Sequence, residues 1–227
     1  MVKSVRVIGV GGSLRAGSTS RSALRAALDG ALGAGAEPDL IGVRELDLPM
    51  YTPERSVPAA ARRLAEAAYA CDALIWSTPT YHGSVSGWFK NALDWLILLA
   101  ERDPPYLTNK PVGLVATAGG IQGLQAVSSL DFIARVLRAW SVPLVLPVAQ
   151  ASPSFDPEGR LVDELIGTQL RELGAEVVRA ARQFHAEGSC DYADARQFAG
   201  PGHRWPGAAL PATGAARRPA GPAAPGS

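Results

Sequence analysis

One short segment near the start of the chain is rich in groups that can bind an anion. Residues 12–20 read Gly-Ser-Leu-Arg-Ala-Gly-Ser-Thr-Ser. Glycines let the backbone approach a ligand closely, and hydroxyl and guanidinium groups donate hydrogen bonds. This combination is typical of a phosphate-binding loop. Its side-chain donors are Ser13, Arg15, Ser18, Thr19 and Ser20.

The neighbouring residues predict the elements that position this segment. Val5–Val10 is apolar and rich in β-branched residues, which favours a buried strand. Ser20–Leu32 carries alanine and leucine at helical spacing and predicts a helix. The free N–H groups and partial positive charge of a helix start attract phosphate. The alternative is a polar connection that binds nothing, but such connections usually have only about two to six residues.

Three kinds of phosphate-binding loop can be compared with this segment. A Walker A loop requires lysine where Ser18 stands, which disfavours a nucleoside triphosphatase. A dinucleotide fingerprint fits at Gly9 and Gly11 but requires glycine where Leu14 stands. A hydroxyl-rich loop that binds a terminal phosphate monoester, as in flavodoxin-like folds, matches best.

Composition narrows the class of protein. The chain has 227 residues, 47% hydrophobic and 19% charged, with a formal net charge of +1. These values indicate a globular core and disfavour both a nucleic-acid-binding surface and a highly acidic electron carrier. The sequence shows no signal peptide and no run of about 18 apolar residues. We therefore expect a cytoplasmic protein that binds no membrane.

The spacing of cysteine and histidine gives no support to a metal site. Cys71 and Cys190 lie far apart in the chain, and His82, His185 and His203 show no ligand spacing. Cys71 falls at the end of an apolar predicted helix, so we expect it to be a small core residue.

Strands and helices are predicted to alternate along the chain. The predicted strands are Val5–Val10, Asp39–Glu45, Ala73–Thr78, Val112–Ala118 and Pro143–Val148. The predicted helices are Ser20–Leu32, Ala59–Cys71, Ser86–Ala100, Gln125–Trp140 and Leu161–His185, the last with a candidate break near Gly174. This pattern predicts an α/β fold, a doubly wound five-stranded parallel sheet with helices on both faces. The loops after the first, third and fourth strands then share one edge, where such folds bind ligands.

The composition changes near the end of the chain. From Gly200 to Ser227 most residues are Ala, Gly or Pro, and no period is visible. Such a segment cannot bury a core. We therefore expect one domain over residues 1–187 and a disordered tail over residues 188–227 that catalysis does not need.

Two further loops add to the pattern. Residues 78–95 read Thr-Pro-Thr-Tyr-His-Gly-Ser-Val-Ser-Gly-Trp-Phe-Lys-Asn-Ala-Leu-Asp-Trp, and residues 118–123 read Ala-Gly-Gly-Ile-Gln-Gly. With residues 12–24, they resemble the NADPH-dependent FMN reductase family. Its phosphate loop reads GSxRxxSxxxxL, and its second segment reads P-x-Y-x-x-S/G-x-x-G-x-x-K-N-x-x-D-W. The resemblance spans about residues 4–185, and the second segment is its most specific part.

The resemblance implies a flavodoxin-like fold that binds FMN and uses NADPH or NADH as co-substrate. It implies that the FMN phosphate contacts Ser13, Arg15, Ser18, Thr19 and Ser20. It further implies that the ribityl chain and ring contact Pro79, Tyr81, His82, Gly83 and Ser84. The far edge of the ring would contact Gly119 and Gly120. Thr117, which precedes this loop, is also expected to bind the cofactor.

Several positions depart from the family pattern. His82 stands where Asn is common, Thr80 where Glu is common and Ser20 where Asn is frequent. These departures concern substrate preference more than FMN binding. Because hydride chemistry belongs to the flavin, we expect no catalytic side chain. His82 is expected to be structural rather than a proton donor, whereas Tyr81 either stacks on the ring or fills the loop.

Other segments carry expectations about packing and assembly. Lys90, Asn91 and Asp94 are expected to brace the flavin loop, and the apolar segment Leu48–Tyr51 to pack against the protein. The predicted helix that carries Trp88–Leu99 has almost no polar face, and such a helix is buried on more than one side. We therefore expect a homodimer or homotetramer with an interface near the flavin.

Four functions remain open on the sequence. The first is an FMN-dependent oxidoreductase that takes hydride from NAD(P)H and passes it to a small acceptor such as free flavin, quinone or oxygen. The second is an FMN-dependent dehydrogenase of a small biosynthetic metabolite. The third, a flavodoxin-type electron carrier, is disfavoured by the weak net charge and by a first loop without the T-G-x-T core. The fourth is a phosphate-binding domain without redox chemistry.

Overall fold

Five parallel strands form the central sheet of the computed structural model, which describes residues 4–15, 17–156 and 158–185. Their order across the sheet is β2–β1–β3–β5–β6, and the short β4 pairs antiparallel with the end of β3. This order confirms the predicted doubly wound α/β fold. The strands are β1 (Val5–Gly11), β2 (Ala36–Gly42), β3 (Ala73–Tyr81), β4 (Ser84–Val85), β5 (Pro111–Thr117) and β6 (Trp140–Val148).

Helices cover both faces of this sheet. The helices are α1 (Thr19–Gly33), α2 (Val43–Leu46), α3 (Ala59–Ala70), α4 (Gly87–Asp94), α5 (Gly123–Val136) and α6 (Glu164–Phe184), with 3₁₀ turns at Trp95–Leu99 and Ser152–Ser154. One core cluster joins the sheet to α3, α4 and α5, and a second joins it to α1 and α6. Successive residues of a strand point to opposite faces. Val7 and Ile75 therefore belong to one cluster, and Ile8 and Leu74 to the other.

The predicted second strand, Asp39–Glu45, is placed too late in the chain. The strand β2 runs over Ala36–Gly42, and a helical turn, α2, follows at once. β2 is an edge strand that pairs only with β1, and Gly42 lies opposite the last residue of β1, Gly11. Beyond Gly42 no neighbouring strand continues the hydrogen bonds, so the chain turns into α2.

Two predicted helices extend too far. Ser86–Ala100 divides into α4, which Ser86 caps by accepting a hydrogen bond from the amide of Phe89, and the 3₁₀ segment Trp95–Leu99. The helix predicted to end at Trp140 ends at Val136, because Arg138 adopts φ +62° and stops it. Trp140 instead begins β6.

The last helix is continuous through Gly174, contrary to the break that the sequence suggested, and begins at Glu164 rather than Leu161. A Cβ built at Gly174 would lie 1.9 Å from the carbonyl oxygen of Ala27 on α1, and one at Gly30 would lie 2.1 Å from that of Arg171. These two glycines let the backbones of α1 and α6 come into direct contact. The glycine therefore serves packing between helices rather than a bend.

The segment Cys71–Asp72 connects α3 to β3. Cys71 is buried in the core, as expected, and burial raises the pKa of its thiol to about 11. Cys190, His203 and the predicted tail 188–227 lie outside the described residues, so the domain boundary and the cytoplasmic location stay predictions. Among the described residues, no helix is both long and apolar enough to cross a bilayer.

The contact between α1 and α6 predicts opposite effects for two helical glycines. Gly174→Ala forces a methyl group into the backbone of α1 and should lower the free energy of unfolding by about 2–3 kcal/mol. The matched control is Gly33→Ala, because a Cβ built at Gly33 meets no atom within 4 Å. That control should leave stability unchanged or raise it by up to about 1 kcal/mol. Urea denaturation measures both, and equal stability of the two variants would contradict the close contact.

Candidate functional site

A cavity of about 690 Å³ lies at the edge of the sheet where the parallel strands end. Its walls are residues of segment 12–20, the ends of β3 and β5, and the loop that follows β6. The carboxyl ends of parallel strands meet at one edge, so residues distant in the chain come together here. The predicted convergence of the loops after β1, β3 and β5 is confirmed.

A close backbone contact fixes segment 12–20 against β3. The amide of Gly12 donates to the carbonyl of Ser77 at 3.1 Å, and a Cβ built at Gly11 would lie 2.2 Å from the same oxygen. Gly12 also has φ +95°, a conformation that favours glycine. Ser77 Oγ donates to the carbonyl of Ser20 at 2.8 Å. Ser77 therefore holds both ends of the segment.

The start of α1 organises the hydroxyl groups of the segment. Ser18 is the N-cap, where its Oγ accepts from the amide of Arg21 at 3.3 Å and lies 2.9 Å from Ser20 Oγ. Thr19 Oγ1 donates to Thr117 Oγ1 at 3.3 Å, which ties the helix start to the end of β5. Hydroxyls and helix N–H groups thus concentrate at one end of the cavity, where they suit an anion.

The charges around this cavity also favour an anion. Arg15 is exposed at the rim, and Asp156 is the one acidic side chain among the described lining residues. Asp156 accepts hydrogen bonds from the amide and Nε of Arg160, both at 2.7 Å. Burial raises the pKa of Asp156, but the hydrogen bonds and charge of Arg160 outweigh burial and hold this pKa below its usual value. The carboxylate is therefore ionised and paired with a guanidinium.

The end of β3 and the short β4 form a tight hairpin beside the cavity. Tyr81 pairs with Ser84, so only His82 and Gly83 form the turn, with φ +49° and +80°. A two-residue turn with both φ values positive is the type that Asn-Gly favours. The conformation therefore favours asparagine at the position of His82. The ring of His82 is exposed, and Tyr81 is half-exposed.

A second cavity, of about 400 Å³, adjoins the first. Thr80, Ala118 and Gly119 line both cavities. A Cβ built at Gly119 would meet no atom within 4 Å, so the space beside its backbone is open. The further lining residues of this cavity are His82, Gly83, Gly120 and Gln122.

The Lys-Asn-x-x-Asp-Trp part of the second segment performs two different tasks. Asn91 is buried, accepts from the amide of Tyr51 at 2.8 Å and donates to the carbonyl of Pro49 at 3.0 Å. Trp95 Nε1 also donates to Pro49 at 3.0 Å, and its ring meets that of Tyr51 edge-on at 5.2 Å. Lys90 and Asp94 instead form an exposed ion pair. The motif thus fastens segment Leu48–Tyr51, which confirms the packing interpretation of that segment.

The structure brings together all but one of the residues predicted for the cofactor. The first cavity contains Ser13, Arg15, Ser18, Thr19, Ser20, Pro79, Tyr81, Thr117 and Gly119. The second cavity contains His82, Gly83, Gly119 and Gly120. Ser84 is in neither, because it faces a separate depression that Lys90 and Phe132 also line.

The wall that follows β6 was not predicted from the sequence. The glycine and serines of this wall are scattered among other residues rather than clustered as in the other loops. The wall nevertheless follows a parallel strand and so had to reach the same edge. Its residues at the first cavity are Ala151, Ser152, Phe155, Asp156 and Gly159.

The hairpin predicts that residue 82 is selected for its backbone conformation. His82→Asn should keep or raise the free energy of unfolding, because asparagine tolerates positive φ. His82→Val should lower it by about 1–2 kcal/mol, because a β-branched residue is strained there. Thermal and urea unfolding of the two variants measure the difference. If His82→Asn were the less stable of the two, the histidine side chain itself would be the stabilising group.

Comparison with known proteins agrees with this geometry. The model of the NADPH-dependent FMN reductase family matches residues 5–153. A NAD(P)H-dependent FMN reductase of Pseudomonas aeruginosa is 32% identical over 189 residues, which cover 76% of this chain and 95% of that protein. An NADPH:quinone oxidoreductase of Arabidopsis thaliana is 31% identical, with 74% of this chain and 88% of that protein covered.

The fold has solved counterparts. FerB, a flavoenzyme NAD(P)H:(acceptor) oxidoreductase from Paracoccus denitrificans, superposes with a TM-score of 0.65 at 22% identity. The superposition covers 79% of this chain and 98% of that chain. Family match, sequence identity and fold lead to one conclusion. The chain belongs to the NADPH-dependent FMN reductase family, oxidoreductases that transfer hydride from NAD(P)H through FMN to a small acceptor.

Proposed function

We propose that the two adjoining cavities hold FMN, with its phosphate in segment 12–20. The observation that carries the proposal is the meeting of hydroxyls, a helix start and Arg15 at one end of a cavity whose one described carboxylate is paired with Arg160. This donor set suits a phosphate dianion. The second cavity, open beside the backbone of Gly119, offers room for a planar ring.

Bound FMN would supply the hydride chemistry, and the chain supplies binding and orientation. The hairpin at His82–Gly83 borders one side of the second cavity, and the Gly119–Gly120 backbone borders the other. Backbone amides without side chains can approach a ring edge and stabilise negative charge there. Hydride transfer needs no general base, in keeping with a site whose described titratable groups are Arg15, Tyr81, His82 and the paired Asp156.

A quinone or a free flavin is the acceptor that we propose. The relatives from Pseudomonas aeruginosa and Arabidopsis thaliana are named for FMN and quinone reduction. Both acceptors are planar, and the site has an exposed rim at Tyr81 and Gly119 where a planar molecule can approach. No feature of the described residues favours a biosynthetic metabolite or a partner protein over these acceptors.

The proposed cofactor site predicts a sharp difference between two exposed arginines. Arg15→Gln should raise the FMN dissociation constant at least about tenfold, because a charge-assisted hydrogen bond to phosphate is lost. Arg25→Gln, on the exposed side of α1, should leave it unchanged and controls for net charge. Quenching of FMN fluorescence measures binding, and NADPH or NADH oxidation with menadione or FMN measures turnover.

Two outcomes of this experiment would contradict the proposal at different levels. Wild-type protein that neither quenches FMN nor oxidises either nicotinamide would overturn the function. Wild-type protein that binds FMN while Arg15→Gln binds it equally well would overturn the location of the phosphate.

A homodimer is also proposed, but through a surface other than the expected one. The apolar residues of α4 and the following 3₁₀ turn are mostly buried in the chain's own core, so they need no partner: Phe89, Leu93, Trp95, Leu96 and Leu99. The helix α5 instead exposes an apolar stripe of three side chains that are eight and four residues apart, with Leu124 58%, Phe132 70% and Val136 63% exposed. Exposed apolar stripes of this kind mark protein interfaces.

Light scattering at micromolar concentration tests this assembly. Wild-type protein should have at least twice the monomer mass, and Phe132→Glu should reduce it, because the charge would be buried in the interface. Leu165→Glu, on the equally exposed surface of α6, is the control and should not change the mass. A monomeric wild-type protein would contradict the proposal.

A further inference from the structure

Thr80 lies at the junction of the two cavities, and its hydroxyl lacks a hydrogen-bond partner among the described residues. It lies near the end of β3 and lines both the cavity of about 690 Å³ and that of about 400 Å³. Its Oγ1 exposes less than 1 Å² and has no hydrogen-bond partner among the described residues. A buried hydroxyl without a partner destabilises the folded state, so its presence calls for an explanation.

Neighbouring threonines at this edge of the sheet are satisfied. Thr78 Oγ1, two residues earlier on β3, accepts from the amide of Ser86 at 3.1 Å and donates to the carbonyl of Pro79 at 3.1 Å. Thr117 Oγ1 accepts from Thr19 Oγ1 at 3.3 Å. The missing partner is therefore a property of position 80 and not of the strand ends in general.

Rotation about a single bond, χ1, is the smallest motion by which the hydroxyl of Thr80 can turn towards the cavities. Because Oγ1 is buried while the residue lines both cavities, other atoms of Thr80 face the open space. Rotation about χ1 exchanges the hydroxyl for the methyl group or the hydrogen on Cβ. This motion does not require the backbone of β3 to move, and its cost can be offset by a new hydrogen bond.

We propose that Thr80 is a ligand-contacting residue that turns its hydroxyl into the junction when FMN binds. A ligand that extends from segment 12–20 to the Gly119–Gly120 backbone must cross this junction, and a hydroxyl can donate to or accept from its polar atoms. The proposal rests on the proposed function. It adds a contact made by the side chain of Thr80.

A set of threonine variants separates this role from a structural one. Thr80→Val keeps the shape and removes the hydroxyl, so it should raise the FMN dissociation constant roughly two- to tenfold. The same change should leave the stability of the FMN-free protein equal or higher, because an unsatisfied group is removed. With saturating FMN, wild type should be the more stable. We therefore expect Thr80→Val to be at least as stable as wild type without FMN and less stable than wild type with saturating FMN.

Two further variants complete the design. Thr80→Ser keeps the hydroxyl and should bind FMN within about twofold of wild type, the hydrogen bond being retained. Thr108→Val is the matched control, because Thr108 Oγ1 donates to the carbonyl of Pro105 at 2.6 Å outside both cavities. It should lower stability equally with and without FMN and leave FMN affinity unchanged. Fluorescence quenching and urea unfolding, with and without FMN, give all of these values.

The possible results distinguish the failure of this proposal from failure of the proposed function. Unchanged FMN affinity in Thr80→Val, beside a wild type that binds FMN, overturns the role of Thr80 alone. The role of Thr80 is also overturned if Thr80→Val, without FMN, loses as much stability as Thr108→Val. The hydroxyl of Thr80 would then have a hydrogen-bond partner within the protein. A wild type that does not bind FMN overturns both proposals.

Discussion

The site depends on one backbone contact, that between the end of β1 and the end of β3. The amide of Gly12 bonds the carbonyl of Ser77, and the absence of a side chain at Gly11 lets the two strands approach. Ser77 Oγ then bonds the carbonyl of Ser20 in the first turn of α1. The phosphate-type loop and the hairpin that continues β3 are thereby held at a fixed separation. A larger residue at position 11 would displace the whole loop.

Residues 78–95 contain two parts, one that borders the proposed site and one that stabilises the fold. Residues 79–83 border the two cavities, where backbone conformation matters most, as at His82. Residues beyond Ser86 mainly build the fold, because Asn91 and Trp95 hold segment Leu48–Tyr51 by hydrogen bonds to its backbone. The motif is therefore long because residues that line the cavities are followed directly by residues that anchor segment Leu48–Tyr51.

Much of the site could be predicted because alternating strands and helices indicate a parallel sheet, and parallel strands bring their carboxyl ends to one edge. What escaped prediction depends on tertiary contacts. The two-residue hairpin is too short to give a periodic signal, and the wall that includes Asp156 lacks a suggestive composition. Gly174 resembled a helix break because its role is visible only when α1 lies against it. Ser84 lies outside both cavities because it belongs to the short β4, beside a depression that Lys90 and Phe132 also line.

The contact between α1 and α6 sets an order of events during synthesis. The apolar side of α1, with Ala23, Ala27 and Ala31, is covered in part by α6, the last described helix. The loop before α1, and α1 itself, leave the ribosome before α6 does. Until α6 emerges, the apolar side of α1 is not packed against it. Since domains form as units as the chain emerges, α1 gains this cover only when nearly all of residues 4–185 have been translated.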